Sequence, residues 1–65
     1  MKIRITFKKE NGIHEIVTPN CYELNIDLEA KYFLMKYKYE DSDEKHVSFD
    51  RFEELLKISG SDREF

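Results

Sequence analysis

This sequence has little that could hold a fold together besides its packing. It contains one cysteine, Cys21, so no disulfide can form within the chain. Its two histidines, His14 and His46, stand far apart with no ligand spacing around them, which argues against a structural metal. There is no glycine-rich phosphate loop and no Ser, Cys or Asp spaced to make a nucleophilic unit with either histidine. No segment approaches the roughly 20 apolar residues that span a bilayer. The opening residues alternate charged with apolar and lack the apolar run of a signal peptide. Together with the lone cysteine, this leads us to expect a cytoplasmic setting. No cofactor, no membrane contact, no small-molecule substrate and no enzymatic activity are expected.

What the chain does have is aromatic rings and charge. Its 65 residues include five Phe and four Tyr, and 38% are charged. A chain of this length forms one domain, expected over residues 1–60 with a frayed tail at 61–65. Folding buries only about 60% of its unfolded surface, so the margin of stability is thin. The charge is uneven. Residues 1–39 carry seven Lys/Arg against five Asp/Glu, and residues 40–65 carry four against nine. The first part is mildly basic and the second clearly acidic.

Ile3, Ile5 and Phe7 alternate with Lys2, Arg4, Thr6 and Lys8, the period of two that marks a half-buried strand. Asn11-Gly12 follows, and both residues tolerate the positive φ of a type I′ turn. A two-residue loop there sets Phe7 opposite Ile16 and makes Lys8 and Glu15 a cross-strand pair. Pro19-Asn20 ends the second strand. Tyr22, Leu24, Ile26 and Leu28 mark a third strand, and Phe33, Met35, Tyr37 and Tyr39 a fourth. Residues 28–39 also admit a helix capped by Asp27, but their aromatic alternation favours the strand.

The last segment reads differently. Phe49, Phe52, Leu55 and Leu56 fall on one helical face, Ser48 or Asp50 can cap the start, and Gly60 suits the end. An amphipathic helix is therefore expected over 47–58. The expected fold class is α+β: a small antiparallel sheet, made of an N-terminal hairpin plus two further strands, with one C-terminal helix on one face. The segment Glu40 to Glu54 also resembles the loop and exiting helix of an EF-hand through Val47-Ser48-Phe49-Asp50-Arg51-Phe52. Lys45 stands where that motif needs glycine, and Arg51 where it needs the bidentate glutamate, which argues against calcium.

A single helix covers only part of such a sheet, leaving a face or an edge for pairing. The function expected on this ground is a non-enzymatic protein-interaction module of adaptor or inhibitor type, self-associating or binding another protein. By analogy such short chains are common among bacterial and phage accessory proteins. The alternative is nucleic-acid binding through a basic outer face. The candidate surface residues are Lys2, Arg4, Lys8, Lys36 and Lys38.

Overall fold

The computed structural model describes residues 2–61, which form six strands and no helix. The strands are β1 (Lys2–Lys9), β2 (Gly12–Thr18), β3 (Cys21–Asp27), β4 (Tyr32–Lys38), β5 (Lys45–Arg51) and β6 (Glu54–Ser61). They make two three-stranded antiparallel sheets, ordered β2-β1-β6 and β3-β4-β5. The α+β expectation is thus corrected: the fold is all-β. The tail expected at 61–65 lies outside the described residues except for Ser61, which ends β6.

The two central strands supply the core. The alternation of β1 buries Ile3, Ile5 and Phe7, and that of β4 buries Phe33 and Met35. These side chains meet between the sheets with Phe52, while Ile16, Cys21, Leu24, Ile26 and Leu55 pack around them. Thr18 is also buried there, its hydroxyl donating to the Met35 sulfur at 3.4 Å. Each sheet therefore covers the inner face of the other, the role that the sequence assigned to a helix.

Two short corners carry the chain between sheets. At Pro19-Asn20, β2 of the first sheet runs on into β3 of the second, and the Asn20 carbonyl accepts from Lys38 N–H. At Phe52-Glu53, β5 runs on into β6. Phe52 N–H donates to the Lys31 carbonyl, and the next amide, Glu53 N–H, donates to the Lys8 carbonyl. Consecutive amides of an extended chain point to opposite sides, so these two extend the β4·β5 and the β1·β6 ladders in turn. Strands that bend and change sheets are a common way of closing the corners of a two-sheet fold.

The missing helix has a geometric explanation. Leu55 pairs with Phe7 and Ile58 with Ile5, so both lie on the inward row of β6. They are three residues apart because the ladder skips Leu56 in a bulge. Phe52 is three residues before Leu55 because the corner intervenes. Corner and bulge together imitate the spacing of a helical stripe. The expected cap residues have other roles. Asp50 Oδ1 accepts from Lys9 Nζ and from Arg51 N–H, and Gly60 pairs with Ile3 in the sheet. The EF-hand-like segment likewise contains β5 where an exiting helix would stand.

The first hairpin is also corrected. Its loop is Glu10-Asn11, and Lys9 pairs with Gly12. Positive φ occurs at Gly12 (127°) but at neither Glu10 nor Asn11, which fits a type I turn followed by a glycine rather than type I′. Phe7 consequently faces His14, and Ile5 faces Ile16. Glu15 lies opposite Thr6 and pairs with Arg4 at 3.6 Å, so the Lys8–Glu15 pair does not form. In the third strand, a register shift at Tyr22 turns that ring outward and lets Cys21 pack against the core. Residues 32–38 are strand, as the aromatic alternation indicates. Asp27 caps no helix; its Oδ1 instead accepts from the Glu29 and Ala30 amides in the turn before β4.

Candidate interaction face

The five basic residues singled out in the sequence do not converge. Lys2, Arg4 and Lys8 lie on β1 with Ile3, Ile5 and Phe7 between them, so they face outward from the first sheet. Lys36 and Lys38 face outward from the second sheet, opposite to the buried Phe33 and Met35. Because the sheets meet by their inner faces, these two basic sets point away from each other. Carboxylates already engage two of the five: Arg4 pairs with Glu15 at 3.6 Å, and Lys36 Nζ with Glu23 at 3.1 Å. Lys38 Nζ sits over the Tyr22 ring, 5.9 Å from its centroid.

The outer face of the second sheet has a second, unexpected feature. In β5 the alternation of side chains is inverted. Register pairs Asp50 with Phe33, Ser48 with Met35 and His46 with Tyr37, which places three polar residues on the inward row. Val47 and Phe49 point outward and are 57% and 53% exposed. They lie beside Lys36 and Leu34 of β4, respectively, and the Phe49 ring packs against Tyr32 with centroids 5.4 Å apart. Tyr32, Leu34, Val47 and Phe49 thus form one contiguous apolar patch across β4 and the edge strand β5.

The inward polar row is accommodated at its ends. Asp50 forms an ion pair with Lys9 of the first sheet at 2.9 Å. Burial pushes its carboxyl pKa up, but hydrogen bonds from Lys9 and the Arg51 amide, with the charges of Lys9 and His14, outweigh that and hold it below the usual range. At the other end, the His46 ring stacks on Tyr37 (centroids 5.5 Å apart) and meets Tyr39 edge to face at 5.0 Å. β5 is an edge strand, and inward-pointing polar groups are a known means of keeping an edge from pairing with foreign strands.

The sequence reading missed this patch. It placed Phe49 on the apolar face of a helix. The available signal was the alternation of His46, Ser48 and Asp50 with Val47, Phe49 and Arg51. That period of two marks a strand, but it favours burying the apolar set. Only the pairing with β4 shows that the polar set points inward.

Other features are less developed. A shallow, open depression lies at the Phe52-Glu53 corner, lined also by Lys9, Glu10 and Arg51. Among the described residues, no group of three or more His, Cys, Asp or Glu is placed to hold a metal ion. No helix among them is long and apolar enough to cross a membrane. No protein-family model, curated protein or solved structure matches the chain.

Proposed function

We propose that this protein is a small non-enzymatic interaction module that binds another protein surface through the outer face of its second sheet. The observation that carries this reading is the inverted alternation of β5. Val47 and Phe49 are more than half exposed while Ser48 and Asp50 occupy the inward row. A lone exposed apolar residue needs no explanation, but a contiguous apolar patch flanked by charge is the usual mark of a contact surface. A sheet face with aromatic side chains also suits a protein partner better than a small ligand, which favours concave sites. The lone cysteine makes a reducing, cytoplasmic compartment part of the proposal.

Nucleic-acid binding has less support. Its candidate cations lie on two opposed faces, and two of them are bridged to carboxylates.

A photo-crosslinking amino acid placed at Phe49 tests the reading in cells that make the protein. The control position is Ile13, 68% exposed on the outer face of the other sheet. Discrete protein adducts from position 49 and none from position 13 are expected. Equal labelling at both positions, or none at 49, overturns the proposal.

A further inference from the structure

We infer that the partner of this face is an acidic protein segment, with apolar side chains at its centre and carboxylates toward both ends. The inference rests on the interaction reading above and adds the chemistry of the partner. Charge placement carries it. Register sets Lys38 beside Lys45 at one end of β4 and β5, and Tyr32 beside Arg51 at the other. The apolar patch lies between these ends. β3 adds Glu23 and Asp27 to the same face, opposite Lys36 and Tyr32. Four cations thus share the face with two carboxylates, in a chain whose net charge is −3.

The two carboxylates leave the end cations unmatched. Glu23 bridges Lys36 at 3.1 Å and accepts from the Asn25 side-chain amide at 3.0 Å. Asp27 accepts from two amides of its own turn. Among the described residues no ion pair involves Lys38, Lys45 or Arg51. Lys45 and Arg51 are both exposed, six residues apart on one strand, which places them about 20 Å from each other. Arg51 stands beside the Tyr32–Phe49 ring contact, and Arg and Tyr are among the residue types on which binding energy concentrates.

Other occupants suit the face less well. A second copy laid face to face would set the basic excess against itself. A nucleic acid would meet Leu34 and Val47, which offer no ring for a base to stack on, and a Phe49 ring already packed on Tyr32. The loop that joins Lys38 to Lys45 carries Glu40, Asp41, Asp43 and Glu44. A strand of phosphates running on past those lysines meets this loop and is repelled, whereas a segment of limited length stops short of it.

Titrations of the isotopically labelled full chain, followed by backbone amide NMR shifts, test the inference. One probe is a synthetic peptide with Glu-Glu at both ends of an apolar centre that spans about 20 Å. The second is the same peptide with Lys-Lys ends, and the third is oligodeoxythymidylate. The acidic peptide is expected to shift the Val47 and Phe49 amides with Kd below about 1 mM, and to bind more weakly as salt rises. The Lys-ended peptide should bind at least about tenfold more weakly. Lys45→Glu and Arg51→Glu should each raise Kd at least about threefold. Lys57→Glu makes the same change in net charge on the outer face of the first sheet, where Lys57 pairs with Thr6, and should leave Kd unchanged.

Equal binding of the two peptides, no binding of the acidic one, or an equal effect of Lys57→Glu overturns the inference. Tighter binding of the oligonucleotide overturns it in favour of nucleic acid. Shifts at Phe49 that follow the concentration of the chain alone overturn it in favour of a second copy. The crosslink at position 49 separates the two proposals. Protein adducts there whose yield Lys45→Glu and Arg51→Glu leave unchanged refute the acidic partner and uphold the interaction face. Absence of adducts there refutes both.

Discussion

Phe7 and Phe33 meet edge to face, their ring centroids 5.1 Å apart and their planes inclined at 64°. Phe7 comes from the centre of one sheet and Phe33 from the centre of the other, and neither ring is more than 1% exposed. This contact joins the sheets at their middle. Phe7→Ala or Phe33→Ala is expected to cost about 3–5 kcal/mol, a large share of the roughly 5–15 kcal/mol that a domain has. The milder Phe7→Leu and Phe33→Leu variants allow a double-mutant cycle by denaturant unfolding. It should return a coupling of about 0.5–1.5 kcal/mol. Additive losses would show that the ring geometry contributes nothing beyond burial.

The hairpin loop offers a comparison of neighbours. Gly12 has φ of 127°, and a Cβ there would meet nothing within 4 Å, so the cost of a side chain is purely conformational. Gly12→Ala should destabilise by about 1 kcal/mol or more. Asn11 has no positive φ and contributes an exposed hydrogen bond between its Oδ1 and His14 Nε2. Asn11→Ala should therefore cost less, about 0.5 kcal/mol. Thermal melts of the two variants decide, and the reverse order would return the strained position to Asn11.

Acid should weaken the link between Asp50 and Lys9. The native Asp50 carboxyl titrates below its ordinary value of 3.8, so its contribution is present in full above that pH. As pH falls from there through the lower native pKa, the contribution is lost. Asp50→Asn should cost about 0.2–1 kcal/mol at about pH 7, and the difference from wild type should close once the pH lies below the lowered native pKa. Unfolding curves across this range provide the check. A gap that stays constant through the acid limb would remove charge from the account of this pair.

Strand periodicity was legible wherever a strand keeps one face inward along its whole length. Ile3, Ile5 and Phe7, and later Phe33 and Met35, show this pattern and are buried as it implies. Phe52 is likewise buried, at 7% exposure, although its neighbours build a sheet corner and not a helix. The C-terminal misreading arose because a corner and a bulge each shift the inward set by one residue. Local pattern then matches a helical stripe, and only pairing with β1 distinguishes the two. The interaction patch was obscured for a related reason. Val47 and Phe49 are apolar, so any local rule buries them. Their exposure depends on the register with β4 and on a charged partner, Lys9, distant in sequence. Such long-range terms routinely override local preference in sheets.

Of the six strands β1 is made first, yet it is completed last. It occupies the middle of its sheet, with β2 on one edge and β6 on the other. The hairpin with β2 can close early, but the opposite edge of β1 waits until residues 54–61 have been made. Until then Ile3, Ile5 and Phe7 share a half-finished sheet with an open edge. Synthesis thus creates a window in which the nascent chain is prone to pairing with neighbours, and a slow step set by the separation of its first and last strands. A polar inward row on β5 guards the second sheet during that interval, while the first sheet depends on the speed with which its last strand arrives.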